Sequence, residues 1–317
     1  MKHAGEGLTV ITRSNMRRLM SGLRLGERDK GIAARRLNRT QRVCAHAFLL
    51  VLCIPFILPL VWMLSTSLKE DSQIYAREGQ QSAISLKTLI PAPIKWSNYA
   101  EAVKTVPIGT YLRNTLFLCA ATVIGAVLSS AVVAYGFARM RFRGREALFM
   151  LMIATMALPG QVTMIPVFAL FRFLGWYGTF LPLIVPAFCG NAFYVFLLRQ
   201  FFRTIPEELA EAARIDGAGD SRVFRQLMLP LAKPALATCA LFQFLGTWND
   251  FFGPLLYIND PSRYTLAYGL QQFMSSYGGE WAQLMAGASM FTVPIIILFF
   301  LTQRTFIQGI ATTGGKA

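Results

Sequence analysis

Apolar residues in this chain fall in long unbroken blocks, not in the one-sided periodicity of a water-facing helix. Six blocks reach the roughly 20 helical residues that a hydrocarbon layer requires: Ala45 to Leu64, Leu116 to Ala138, Ala147 to Leu170, Trp176 to Leu198, Ala235 to Ile258 and Leu284 to Thr302. The predicted fold is an all-α integral membrane bundle of six transmembrane helices. Pro55, Pro59, Pro159, Pro166, Pro182, Pro186, Pro254 and Pro294 predict kinks, tolerated where neighbouring helices re-satisfy the backbone. The segment from Thr204 to Pro230 is too polar to cross. There Thr204 and Glu207 have capping-box spacing, Pro206 suits a first turn and Gly217 suits a left-handed exit, which predicts a helix of about three turns. Asp220 is then placed to cap a second short helix ending before Pro230.

Composition sharpens this reading. The chain is 54% hydrophobic and 15% charged, well short of the roughly 25% charge of soluble domains, which excludes a soluble two-domain enzyme. Its net charge of +15 would raise nucleic-acid binding in a soluble protein. Here 23 of the 31 Lys and Arg lie in residues 1–44, 139–146, 199–234 and the tail from Gln303, all on one side of a six-span topology. The positive-inside rule puts that side, with both termini, in the cytoplasm, and the asymmetry argues against a nucleic-acid partner. Residual attraction to the anionic lipid membrane is the simpler use of the charge. The division expected is a basic tail (1–44), a first transmembrane helix (45–68), an external loop (69–110), a core with five helices (111–304) and a cytoplasmic tail (305–317). The first span is read as a retained anchor, because its flanks do not fit a cleaved signal peptide. Cys44, Cys53, Cys119, Cys189 and Cys239 show no paired spacing, so free buried thiols and no metal site are expected.

The loop carries the most specific pattern. Glu211-Ala212-Ala213, three residues, Gly217, nine residues and Leu227-Met228-Leu229-Pro230 closely resembles the EAA signature, EAA-x3-G-x9-I-x-LP. That signature marks permease subunits of binding-protein-dependent ATP-binding-cassette (ABC) importers; Leu227 stands where Ile is usual. Further matches follow in order: Ser65 to Lys69, Trp96-Ser97-Asn98-Tyr99, Tyr111 to Asn114, Trp248-Asn249-Asp250-Phe251 with Pro254-Leu255, and Gln303-Arg304-Thr305-Phe306 with Gly309, Gly315 and Lys316. Together they are similar to the carbohydrate branch, in its MalG-type inner-membrane subunit.

The resemblance implies a type I ABC importer permease fold with a cytoplasmic coupling helix. It implies as partners a second homologous permease, two ATPase subunits, an external substrate-binding protein and a sugar. Glu211, Ala212, Ala213, Asp216, Gly217, Leu229 and Pro230 would then meet the ATPase. The chain itself has no G-x-x-x-x-G-K-[ST] loop, so ATP and Mg would be held by the partner ATPases and no catalytic residue is expected here. Gln161, Asn191, Gln243, Asn249 and Asp250 are candidates for the translocation pathway, with helix-to-helix hydrogen bonding as the competing use. Asp250 is expected near the outer interface, about 22 Å along its helix at 1.5 Å per residue. Tyr264, Tyr268, Tyr277 and Trp281 are read either as interfacial anchors or as a loop meeting the binding protein. Two rival classes stay open: an ion-coupled secondary transporter, which would need ionisable groups at mid-bilayer, and an intramembrane enzyme holding Mg²⁺ for a lipid diphosphate between Asp216 and Asp220.

Overall fold

The computed structural model of the chain describes residues 38–74, 89–274 and 280–314, with side chains to Gln303 in the last stretch. Most of the basic tail, part of the external loop and Tyr277 lie outside the described residues. The chain divides into two units, residues 1–59 and 60–317. The principal helices are α1 (Arg39–Ser67), α2 (Ser97–Thr105), α3 (Ile108–Arg139), α4 (Arg145–Thr155), α5 (Gly160–Phe173), α6 (Ala192–Thr204), α7 (Glu207–Ile215), α8 (Lys233–Trp248), α9 (Phe252–Tyr257) and α10 (Trp281–Gly314). No strand occurs among the described residues. Four helices are long and apolar enough to cross a membrane, or six if each of two sharply bent helix pairs counts as one span.

In the first unit α1 presents apolar side chains outward along its length, Phe56 being 80% exposed. His46 Nδ1 lies 2.7 Å from the Arg42 carbonyl within the same helix. Exposed apolar side chains recur on the second unit, where Phe173 is 88% exposed. Such a surface suits contact with hydrocarbon or another subunit, not water. The thiols follow the same division: all five are free, Cys119 and Cys239 are buried, and Cys44, Cys53 and Cys189 are exposed, contrary to the expectation that all would be buried.

In the second unit α3 is the central helix, packed against α6 and α8. Its buried face is small: Gly125, Ala126, Ser130, Ala131 and Ala134 let neighbouring backbones approach. One core gathers Tyr135, Leu198, Phe202, Ala210, Val223 and Met228 around the α6–α7 end of α3. A second gathers Ala102, Tyr111, Trp248, Leu266, Phe273 and Ala286 around the other end. There Trp248 is fully buried between Phe244 and Phe291, at 5.4 and 5.3 Å between ring centroids.

Several spans differ from the sequence reading. The block Ala147 to Leu170 is two helices, α4 and α5, bent by 96°. Pro159 causes the break: it precedes α5 in an extended conformation, lacks an N–H and disfavours a helical Leu158. The block Ala235 to Ile258 likewise stops at Trp248 and restarts at Phe252. Helix α3 starts at Ile108, ahead of Leu116, and α10 continues to Gly314 within the segment assigned to the tail. Helix α2 stands in the external loop, where Asn98 Nδ2 donates to the Ser67 and Lys69 carbonyls at 2.9 and 2.8 Å. Tyr99 Oη links Ser67 Oγ and Ser289 Oγ at 2.9 and 3.1 Å.

The close approach of Gly269 to the buried Tyr111 ring yields a stability prediction. A Cβ there would lie 2.4 Å from Tyr111 Cδ2, and Tyr111 is only 1% exposed. Gly269→Ala is expected to cost about 1–3 kcal/mol through overpacking. Thermal unfolding in detergent should fall for this variant and stay parental for Gly246→Ala, whose added methyl meets nothing within 4 Å.

Candidate functional site

The Thr204 to Pro230 loop folds back against the end of α3. Helix α6 runs through Thr204, whose hydroxyl donates to the Phe201 carbonyl at 2.8 Å, so Thr204 closes one helix and does not cap the next. The expected capping box is absent because Pro206 pushes Ile205 to extended backbone and takes the N-cap position itself. Helix α7 then spans nine residues. Its exit is as predicted: Gly217 has φ +85°, Gly217 N–H donates to Arg214 O at 3.0 Å, and Ala218 N–H donates to Ala213 O at 2.9 Å. This pair of bonds is a Schellman motif, with glycine where an L side chain is strained.

The helix turns two faces in different directions. Ala210 is buried and Ala213 half-buried against the Tyr135–Phe202 core, so Ala213 supports the helix from beneath and is not part of its outer face. Glu208, Glu211, Ala212, Ile215 and Asp216 face outward, and Ile215 is 86% exposed. An isoleucine left so bare beside an alanine is a small apolar contact point framed by carboxylates. Beyond Gly217 the chain does not end a helix before Pro230. It passes from Asp220–Arg222 through a π-helical turn, Val223–Met228, into Leu229–Leu231. Leu229 N–H reaches back to Phe224 O, and this wider turn accommodates the missing N–H of Pro230. Leu229 packs half-buried on the core while Pro230 is exposed.

Charged side chains that the motif does not include hold the loop. Arg214 pairs with Asp220 at 3.0 Å, and this hydrogen bond raises the guanidinium further above its usual range. Asp220 thus closes the Gly217 turn through its side chain; Gly219, not Asp220, is the N-cap residue. Asp216 is exposed at the end of α7, and among the described residues no three His, Cys, Asp or Glu side chains gather to hold a metal ion. Tyr135 Oη lies 3.5 Å from the Asp220 carbonyl, and its ring packs 5.0 Å from that of Phe224. Arg139 and Arg199 tie the same region to α3 and α4.

The five pathway candidates do not share one site. Gln161 is exposed in the first turn of α5 and lines a cavity of about 450 Å³ with Thr163, Phe252, Gly253 and Tyr257. Asp250 Oδ1 accepts from Gly253 N–H at 2.9 Å, shaping the start of α9 beside that cavity. Asn249 is exposed at the break, with Nδ2 on the Leu245 carbonyl at 2.8 Å. Gln243 instead donates to Thr247 Oγ1 at 3.1 Å, which lies 2.9 Å from Thr122 Oγ1, so it belongs to α8–α3 packing. Asn191 caps α6, its Oδ1 accepting from Phe193 and Tyr194 N–H.

At the opposite end of α3 the loop after α9 is pinned down. Asn114 Nδ2 donates to the Ser262 and Tyr264 carbonyls at 2.8 and 3.0 Å, and Thr115 Oγ1 accepts from Leu266 N–H at 2.9 Å. The Ser262 hydroxyl and N–H hold Asp260 below the usual carboxylate range. Tyr264 and Tyr268 are half-buried, 4.4 Å apart, with Tyr111 and Phe251 as their outer neighbours. Tyr264 packs against the second core and Tyr268 stands beside it, each with part of its ring exposed. Trp281, half-buried, opens α10.

The model of the binding-protein-dependent transport system inner membrane component matches residues 121–312, which include this whole loop. The chain belongs to that family. It is 32% identical over 270 residues to the probable ABC transporter permease protein YurM of Bacillus subtilis, covering 85% of this chain and 87% of that one. It is also 32% identical over 276 residues to the diacetylchitobiose uptake system permease protein NgcG of Streptomyces coelicolor, covering 86% and 88%. To the arabinooligosaccharides transport system permease protein AraQ of Halalkalibacterium halodurans it is 36% identical over 207 residues, covering 65% and 74%. A crystal structure of a bacterial ABC transporter for import of the acidic polysaccharide alginate contains a chain with a TM-score of 0.71 and 25% identity, covering 85% of this chain and 99% of that one. The fold is accordingly that of a type I ABC importer permease, and the chain is a multi-pass membrane permease subunit of an ABC importer.

Two asparagines should separate in experiment. Asn191→Ala removes an N-cap and should cost about 1 kcal/mol of stability, read as a lower unfolding temperature in detergent. Asn249→Cys should leave stability unchanged and react with a small water-soluble maleimide; full protection in every state would remove Asn249 from the pathway.

Proposed function

We propose that this permease imports a sugar or oligosaccharide delivered by an external binding protein. A second permease subunit would complete the pathway, and two ATPase subunits would dock on the α7 face of each half, supplying ATP and Mg²⁺ sites that this chain lacks. The substrates named for these similar proteins, diacetylchitobiose, arabinooligosaccharides and alginate, support a carbohydrate. The basic loops, α7 and both termini would face the cytoplasm, as the charge asymmetry favours. ATP-driven closure of the ATPases would draw the α7 helices together and turn the pathway outward.

The observation that carries this reading is α7 itself: a short helix with a buried alanine beneath, a bare Ile215 above and a Schellman exit at Gly217. The diphosphate-enzyme alternative is disfavoured by the Arg214–Asp220 pair, which already occupies one of the two carboxylates. Because Arg214 braces the turn and Glu208 lies on the outward face, the exposed Gln226 beyond α7 serves as the neutral control.

Gly217 offers the decisive test. No atom lies within 4 Å of a Cβ built there, so a substitution acts through backbone strain and not through a clash within this chain. A non-glycine residue in this region costs about 1–2 kcal/mol, less for Asn. Gly217→Val should therefore weaken ATPase retention or uncouple hydrolysis, Gly217→Asn should keep most of both, and Gln226→Ala should match the parent. Pull-down of the ATPase from mild detergent and hydrolysis stimulated by binding protein loaded with diacetylchitobiose measure this. Parental values for Gly217→Val would overturn the assignment.

A further inference from the structure

We infer that Arg139 and Arg199 form a double clasp that makes α7, α6 and the end of α3 one rigid lever, and so act as positioning residues for transport. This rests on reading α7 as the coupling helix. The joint between α6 and α7 is structurally weak: Ile205 is extended, Pro206 has no N–H, and only an Ile205 N–H to Phe202 O contact of 3.4 Å bridges it within the backbone. Left to the backbone, a push on α7 would flex this joint.

Arg139, the last residue of α3, reaches across it. Its Nη2 donates to Phe202 O at 2.6 Å and also to Ile205 O, the first in the last turn of α6 and the second at its C-cap immediately before Pro206. A cation at the negative end of α6 is favourable, and charge-assisted bonds to its last carbonyls stiffen the helix end at the joint. Arg139 Nε is buried without an acceptor, so one donor is sacrificed to reach the joint. Arg199, near the end of α6, is 4% exposed. Its Nη2 lies 2.9 Å from both Glu146 carboxylate oxygens, its Nε donates to Phe137 O at 3.3 Å, and its guanidinium carbon lies 3.8 Å from the Phe149 ring centre. One side chain thereby joins α6 to α3 and α4. A buried cation held on three sides resists sliding, because loss of any partner strands it.

Both arginines also contribute to the positive side of the membrane, which lysine would serve equally. At Arg199 the bonds from Nε to α3 and from Nη2 to α4 need arginine's planar fork, and at Arg139 the Nη2 that takes both carbonyls sits one bond farther from the backbone than a lysine ammonium. Arg139→Lys and Arg199→Lys therefore separate the clasp from mere charge. The test uses the full importer in lipid vesicles, with the chain's own cysteines replaced and nitroxide labels at Glu207→Cys on α7 and Val132→Cys on α3, both exposed. With either native arginine pair intact, the label distance should be narrow and the same without nucleotide and after vanadate trapping with ATP. Arg139→Lys and Arg199→Lys should broaden it, and Glu146→Gln should do so less. Arg141→Lys, in the adjoining loop, should not.

A parental distance that shifts with nucleotide, or Lys variants as narrow as the parent, overturns the clasp. Broadening accompanied by a matching loss of thermal stability in the unliganded chain reduces it to a folding role and also overturns it. The reading of α7 is checked separately: Ala212→Glu with Ile215→Asp should abolish ATPase pull-down, and retained ATPase there would sink the coupling assignment without altering the distance result.

Discussion

Hydrocarbon offers no hydrogen bonds, so every backbone break in a membrane chain must find its partners inside the protein. This constraint organises the structure. Where helices are interrupted, a polar side chain takes over the freed groups: Asn191 at the start of α6, Asp250 at the start of α9, Thr265 beside Leu266–Gly269 and Arg139 at the end of α6. Much of the chain's polarity near spans is committed in this way. That is why amides which look free in the sequence prove to be caps or interhelical bonds.

The central helix α3 connects two differently built ends. At one end, aromatic rings and guanidinium groups fasten α6 and α7 to it. At the other, neutral hydrogen bonds from Asn114 and Thr115 hold the Asp260–Phe273 segment, while Tyr99 and Asn98 fix α2 to the end of α1 and to α10. The small residues along α3 bring its neighbours close enough for both sets of bonds. A permease that relays motion from one face of a membrane to the other needs such a stiff element, since packed interfaces shift between discrete arrangements and do not deform continuously.

The loop from Thr204 to Pro230 was the most legible part. Its spacing placed Gly217 at a left-handed exit, and the chain bears this out because only glycine takes that backbone without strain. The entrance was misread: Thr204 and Glu207 have capping-box spacing, but Ile205-Pro206 forces extended backbone between them and leaves Thr204 in α6. The bend at Pro159 was expected as a kink and is a full break of 96°. Arg139, Arg199 and Glu146 were counted only as charges of one sign or the other, since nothing in their spacing reveals that Arg139 reaches the end of α6 or that Arg199 meets Glu146.

The sequence by itself determined the solvent and the class. Long apolar blocks require a membrane, charge asymmetry favours an orientation, and the EAA spacing marks a loop whose turn chemistry is local; each of these follows from residues near one another along the chain. Tertiary structure decided which polar groups were spent on the chain's own backbone. Asn191, Gln243 and Asp250 are committed to caps and packing, Tyr264 lies against the second core with Tyr268 beside it, and Ile215 stands bare. The partners of Asn191, Gln243 and Asp250 lie within four residues, but the positions of the helix breaks decide those bonds, and the burial of Tyr264 depends on elements far away in sequence, none of which hydropathy encodes.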